Sequence, residues 1–451
     1  MNKLYDIVVA GGGLAGTFAA VAAAREGKTV LLIEQNGYLG GSLTACGVGP
    51  MMTAHAGEKQ VIKGLFEEMV VRMMRDGYSC GHIKDTTQYV SYITPFSSEG
   101  MKLVLDEMTA EADCHVLFHT FVAQADCRDG KITSLTICSK DGLSKIKAVV
   151  YIDATGDGDL AYMAGAPMQK GRPGDGLSQP MTMNMKYGNV NREELKTYLL
   201  NHLDQFPRLK ENRKLIEESS HLAVAGFADQ LQKAIKDKEV GFPREELLFF
   251  ETDRPGEFIV NTTRIIGNDG TDAQSLSESE REGRKQCAQL DRFLRREVPG
   301  FADAYLELTG PSVGVRGSRQ LKGRYELQTS DILSGTMFDT RIALAAYPVD
   351  VHNPDGSGTS SCFEMGEKGC YSIPYEIMFC DEIANLLVTG RCVSASFEAQ
   401  AAIRTTPTTA AMGQAAGLAA ALSLESGIPL AEIDRKKLQK KLMEQNVVLL
   451  V

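Results

Sequence analysis

The ten cysteines of this 451-residue chain include no C-x-x-C pair. That absence removes the spacing expected of an iron–sulfur cluster or a structural zinc site, and with it the disulfide-reductase type of dithiol chemistry. Buried thiols acting as small apolar side chains are expected instead, and no metal is called for. No apolar run approaches the roughly 20 residues that cross a bilayer, so membrane insertion is not expected. A net charge of −10 argues against nucleic acid or an anionic membrane as partner. Internal repeats and low-complexity tracts are also missing. The apolar N-terminal stretch carries Asp6, a glycine turn and Arg25, which suit a buried strand and helix better than a signal peptide. A cytoplasmic protein acting on a small molecule is the expectation.

What is present begins at residues 5–34, YDIVVAGGGLAGTFAAVAAAREGKTVLLIE. Ile7 to Ala10 form the unbroken apolar run of a parallel strand covered on both faces. Gly11, Gly13 and Gly16 follow with G-x-G-x-x-G spacing. They serve, in turn, a tight turn, close approach of backbone to a pyrophosphate, and close packing of helix on strand. Leu14–Glu26 is alanine-rich and helix-favouring, with Gly27 placed to cap it. The start of that helix offers free N–H groups to phosphate. Glu34 ends the strand Thr29–Ile33, where a carboxylate can accept ribose hydroxyls. This unit predicts dinucleotide binding.

Further along, periodicity predicts helices at Lys63–Asp76 and Glu99–Ala112. Strand-like runs at His115–Cys127, Lys131–Ser139 and Lys145–Ile152, separated by Asp129-Gly130 and Asp141-Gly142, predict a β-meander. Between about Gly165 and Gly335 the character changes. Amphipathic helices at Arg192–Phe206, Arg213–Lys238 and Ser277–Glu297 alternate with strands at Leu247–Glu251 and Phe258–Thr262. Residues 385–391, NLLVTGR, read as a buried strand and turn, and 406–424 as a tightly packed helix with Pro407 in its first turn. The expected class is α/β: a Rossmann-like nucleotide-binding domain, with parallel sheet and meander, built from 1–165 and 336–451. An inserted α+β substrate or cap domain occupies 166–335.

Taken together, GGGLAG (11–16), GYLGG (37–41), DATGDGDLAYMAGAP (153–167), GVRGSRQLKGRY (314–325), YPVDVHNPDG (347–356) and the 385–417 segment resemble the FAD-dependent oxidoreductases of the glutathione-reductase structural superfamily. The resemblance is to the broad family related to fumarate reductase and succinate dehydrogenase flavoprotein subunits, and it runs over nearly the whole chain. It implies FAD, with noncovalent binding as the default. Gly11, Gly13, Ala15 and Gly16 would carry the pyrophosphate and Glu34 the ribose. Gly40, Gly41 and Ser42 would pass close to phosphate and flavin, and Val122, Ala154, Thr155 and Gly156 would lie along the adenine. Gly390 and Arg391 stand where many relatives have Gly-Asp, so Arg391 is free to serve phosphate or substrate. The helix from Thr406 would aim its N-terminus at flavin N1, which is anionic in the reduced ring.

For the substrate face, His352 is the first choice as proton carrier, in a polar, turn-rich stretch two residues after Asp350. Arg316 and Arg319 flank a glycine turn and together would bind a carboxylate. Arg404 would bind substrate or stabilise reduced flavin. His55, Tyr347 and Tyr371 are weaker candidates, and Cys46 and His55 lie where a covalent flavin link would fall. The leading expectation is hydride transfer between a small polar substrate and flavin N5, with the electron acceptor unspecified. An NAD-linked dehydrogenase and a flavin-containing subunit without turnover of its own stay open as alternatives.

Overall fold

The computed structural model describes residues 4–450. Strand β1 (Leu4–Ala10), helix α1 (Leu14–Arg25) and strand β2 (Val30–Ile33) form a βαβ unit, with Ile7 paired to Val30 and Ala10 to Ile33. All four residues of β2 are buried, as a strand covered on both faces requires. His115–Leu117 adds beyond β2 and the end of Gly142–Asp153 pairs with β1 on the other side. Leu386–Val388, from the far end of the chain, completes the parallel layer.

The strand Gly142–Asp153 joins two kinds of sheet. Its last residues run parallel to β1, while its first pair antiparallel with Lys131–Ser139, which pairs in turn with Phe121–Arg128. The meander is thus fused edge-on to the parallel layer, with Asp129 and Gly130 in the left-handed conformations of a tight hairpin. The expected run His115–Cys127 divides in two, because His119 takes a positive φ and the chain leaves the parallel layer before entering the meander.

A second body has its own core. Ala223–Gly226, Leu247–Glu251, Phe258–Val260, Met185–Gly188 and Tyr305–Thr309 form an antiparallel sheet in that order. The helix Ala273–Glu297 lays Cys287, Leu290, Phe293 and Leu294 on it. The continuous helix expected over Arg213–Lys238 is corrected here. It is Arg213–Glu218, the edge strand Ala223–Gly226 and Ala228–Lys236, since Ala223–Gly226 pairs with Leu247–Glu251. Tertiary pairing outweighs the helical period there. The separate core runs from Met183 to Ala304. Leu321, Leu327 and Ile332, assigned by sequence to the cap, pack in the nucleotide-binding body.

The N- and C-terminal parts are locked by α1 against the helix Thr406–Ser426. Both are buried almost all round, which their alanines and glycines allow. A Cβ on Gly413 would stand 2.1 Å from the Ala15 carbonyl oxygen, and one on Gly417 would stand 2.1 Å from that of Ala19. Because Ala15 faces Gly413 and Ala19 faces Gly417, the helices run side by side in one direction.

Gly413→Ala is expected to lower the unfolding free energy by about 1–3 kcal/mol, the usual range for overpacking a close contact. Chemical denaturation checks this, with Gly358→Ala as a control, since a Cβ there would meet nothing closer than 3.7 Å and the backbone is not left-handed.

Candidate active site

One cleft of about 820 Å³ runs between the two bodies. At one end lie the glycine turn after β1 and Glu34; at the other lie Tyr347, Asp350, His352, Arg316 and Arg404.

The first end is made of backbone. Gly11, Gly13, Ala15, Gly40, Gly41, Ser42, Val122, Ala154, Thr155, Gly156, Gly390 and Arg391 all line it. A Cβ on Gly11 would stand 2.4 Å from the Ala154 oxygen, so the turn and the 153–159 segment meet with no room for a side chain. Gly16 is corrected from a lining residue to a packing one. It lies behind the turn, where a Cβ would fall 1.8 Å from the Gly11 oxygen. The buried Glu34 carboxylate accepts hydrogen bonds from the Gly12 N–H at 2.6 Å and from the Asn36 N–H at 2.8 Å. Bonds from two separate segments, the turn after β1 and the stretch after β2, fix its orientation at the cleft wall.

Midway, Arg391 donates to Asp157 at 2.7 Å and to the Val315 oxygen at 2.7 Å. An acid therefore stands beside position 391 after all, supplied by the 153–159 turn. Thr405, Thr406 and Thr409 also line the cleft, so the helix Thr406–Ser426 presents its positive end there. Asn184, on the facing wall, donates to the Cys46 oxygen, while its buried Oδ1 has no partner among the described residues.

At the second end, His352 lies on a short strand, Val349–His352, rather than in the polar loop expected. Pairing with Thr359–Cys362 buries it to 9% exposure. Its Nδ1 faces the Arg264 guanidinium at 3.5 Å and the Thr359 hydroxyl at 3.3 Å, and its Nε2 faces Asp350 at 3.4 Å. Arginine can only donate, so Nδ1 accepts and Nε2 carries the proton toward Asp350. Burial and the nearby Arg316 hold the imidazole well below its ordinary range. It is a neutral orienting group. Asp350 also accepts from Tyr89 at 2.8 Å and Tyr347 at 3.0 Å. Burial opposes its ionisation, but His352, Arg404 and the Tyr89 hydroxyl more than offset that, and it is an anion.

Arg316 donates to the Pro180 oxygen at 2.6 Å and has no carboxylate partner among the described residues. Burial, reinforced by Arg404, Arg244 and Arg264, lowers its pKa well below the usual value. Arg404 reaches Asp350 at 3.6 Å, and its Nε has no partner among the described residues.

Arg319 does not join Arg316. It is paired to Asp159, donates to the Asp157 oxygen at 3.0 Å and stacks over Tyr162 at 4.4 Å. The strand geometry of Arg319–Leu321 turns it away, so the two-arginine clamp is corrected. Tyr371 is buried behind Tyr347 and donates to its oxygen at 3.1 Å. His55 is off the cleft, stacked on Tyr92 at 4.5 Å and edge-on to His82 at 4.8 Å. Asn184, Tyr89 and Arg244 line the cleft without having been singled out in sequence, for they come from separate segments with no local motif.

A parallel layer fused to a meander, capped by an antiparallel sheet over one long cleft, defines a nucleotide-binding flavoprotein fold. The backbone cradle, the fixed carboxylate at Glu34 and the helix end at Thr406 fit FAD. Residues 6–442 match the family model of the FAD dependent oxidoreductases, and the chain belongs to that family. It is an FAD-dependent oxidoreductase.

Among solved structures, a geranylgeranyl bacteriochlorophyll reductase-like protein from Thermoplasma acidophilum is similar over 98% of this chain and 84% of its own. Its identity is 15% and its TM-score 0.50. A flavin-dependent brominase is similar over 98% of this chain and 84% of its own, at 11% identity and TM-score 0.50. These likenesses speak for the fold.

Digeranylgeranylglycerophospholipid reductase 2 of Methanothermobacter thermautotrophicus is 28% identical over 163 residues, covering 36% of this chain and 42% of the relative. A soluble pyridine nucleotide transhydrogenase from Marinomonas sp. is 43% identical over 61 residues, 14% of this chain and 13% of the relative. The chain thus spans less than half the length of these curated relatives. Among the described residues no helix is long and apolar enough to cross a membrane.

Burial and then His82 lower the pKa of His55 to about 4. The unfolded chain takes that proton below about pH 6.5, which the native state resists. The stability from burying neutral His55 is full above that pH and is lost as pH falls toward 4. His55→Gln should flatten the fall in denaturation midpoint between pH 7 and 5, read from unfolding curves at each pH.

Proposed function

We propose that the protein transfers hydride between a small polar organic substrate and N5 of a noncovalently held FAD. The observation that carries this reading is the single cleft joining the glycine cradle to the Arg316–Asp350–His352–Arg404 pocket. Bound FAD supplies the two-electron chemistry. Gly11, Gly13, Ala15, Gly40, Gly41 and Ser42 leave the pyrophosphate flanked by backbone, and Glu34 takes the ribose. Val122, Ala154, Thr155 and Gly156 line the adenine end. The N-terminus of the helix Thr406–Ser426 favours negative charge beside it.

At the other end Arg316 and Arg404 hold the substrate's polar group. His352 is a positioning residue: it fixes Asp350, which in turn holds Tyr89, Tyr347 and Arg404. Burial and Asp350 keep Tyr347 and Tyr89 protonated, and because each donates its one proton to Asp350, the pocket offers a substrate guanidinium donors and hydroxyl acceptors. The body whose core runs from Met183 to Ala304 serves in this reading as the cap over the substrate end.

A yellow protein absorbing near 450 nm, bleached anaerobically by a small organic reductant, is the expected behaviour of such a flavoenzyme. Failure of the photoreduced protein to reoxidise with any acceptor would favour a subunit without turnover. Glu34→Ala should lose FAD on dialysis, whereas occupancy equal to the parent would remove Glu34 from the ribose. Arg404→Ala should keep the 450 nm band yet slow its bleaching about tenfold or more, the scale of one charge-assisted contact. Loss of flavin in that variant would move Arg404 to the cofactor.

A further inference from the structure

We infer that the substrate is an organic acid with an apolar body, its carboxylate held between Arg244 and Arg316. The inference rests on the reading of the cleft above and narrows its substrate class.

Arg244 is 7% exposed and lines the cleft. Only its Nε has a protein partner, the Glu246 oxygen at 3.3 Å. Among the described residues nothing takes its two terminal amino groups, so a nearly buried cation faces the cleft with four N–H donors free. Arg316 lines the same cleft and is likewise without a carboxylate among the described residues; burial, and then Arg404, Arg244 and Arg264, lower its pKa.

The surrounding charges do not cancel. Five arginines gather at this end: Arg208, Arg244, Arg264, Arg316 and Arg404. Three carboxylates face them. Glu246 is spent on Arg208 at 3.1 Å, Asp350 is shared by Arg404 and His352, and Glu245 is exposed at the rim. Arg264, 1% exposed, is fixed by the oxygens of Asn353, Gly356 and Gly358, none of them charged. A positive excess inside a protein of net charge −10 disfavours the empty pocket and favours a bound anion.

The wall beside these arginines is apolar. Along the strand Leu247–Glu251 side chains alternate, so Leu247 and Phe249 enter the cap core while Leu248 and Phe250 face the cleft. Met52 and Tyr89 pack with them. Arg244 lies just before that strand, so charge and apolar surface are set side by side by one stretch of backbone. A carboxylate on the arginines would lay its hydrocarbon part on Met52, Leu248 and Tyr89.

The test uses the FAD-loaded holoenzyme, with benzoate, hexanoate and acetate as acids and benzamide as the neutral match of benzoate. Binding is read from perturbation of the flavin band and from calorimetry. Benzoate and hexanoate should bind saturably, acetate at least about tenfold more weakly, and benzamide not at all. Arg244→Met should weaken benzoate about tenfold or more with flavin content and melting temperature unchanged, and Arg244→Lys should restore part of the loss. Leu248→Asn should weaken hexanoate but not acetate.

Equal affinity for benzoate and benzamide, or wild-type benzoate affinity in Arg244→Met, would overturn the acid. Acetate binding as tightly as benzoate would overturn the apolar body. A purified protein without FAD sinks the reading of the cleft instead, and calorimetry with benzoate then still decides the acid.

Discussion

The close packing of α1 on the helix Thr406–Ser426 is the constraint on which the molecule depends. The two helices come from opposite ends of the chain, yet their backbones touch at Ala15 with Gly413 and Ala19 with Gly417. Running in one direction, they bring two positive helix ends to the same cleft. Counted from the Ala15–Gly413 contact, the second helix begins six residues further out, about 9 Å at 1.5 Å per residue. One end therefore stands by the glycine turn and the other further along the cleft. A dinucleotide cofactor offers negative charge at both places, at its pyrophosphate and at its reduced ring.

The cleft divides its electrostatics along its length. Near Glu34 it is lined by peptide N–H groups, with one carboxylate held by Gly12 and Asn36. Near Asp350 it is lined by guanidinium groups whose counter-charges are too few. The first arrangement suits a cofactor read by shape and backbone dipoles, and the second suits the proposed substrate, read by charge. Asp350 is central to the latter, since it gathers Tyr89, Tyr347, His352 and Arg404 on one buried carboxylate. Burial, and then the arginines that crowd the pocket, disfavour a charge on its neighbour His352.

The cofactor half was legible because its signals are local. A glycine triplet between two apolar strands and an acid at the second strand's end all lie within residues 5–34, and each has one backbone geometry that suits it. The meander was legible through Asp129-Gly130. The cap was less so: the four-residue edge strand Ala223–Gly226 exists because Leu247–Glu251 pairs with it, and a helical period ran through it. The substrate end was least legible. His352 read as a loop residue because Asn353, Pro354, Asp355 and Gly356 follow it, yet it ends a strand whose partner lies beyond that turn.

By itself, then, the order of residues determined the βαβ unit, the meander and the helix after Arg404, because neighbouring side chains and turn chemistry set those geometries. Tertiary structure alone decided which charged groups meet. Arg319 differs from Arg316 by three positions but is paired to Asp159 and does not itself line the cleft, whereas Arg244, from a distant part of the chain, lines it together with Arg316. Nothing in local spacing distinguishes them. Burial and the choice of partner do, and both arise only when two separate cores close on one cleft.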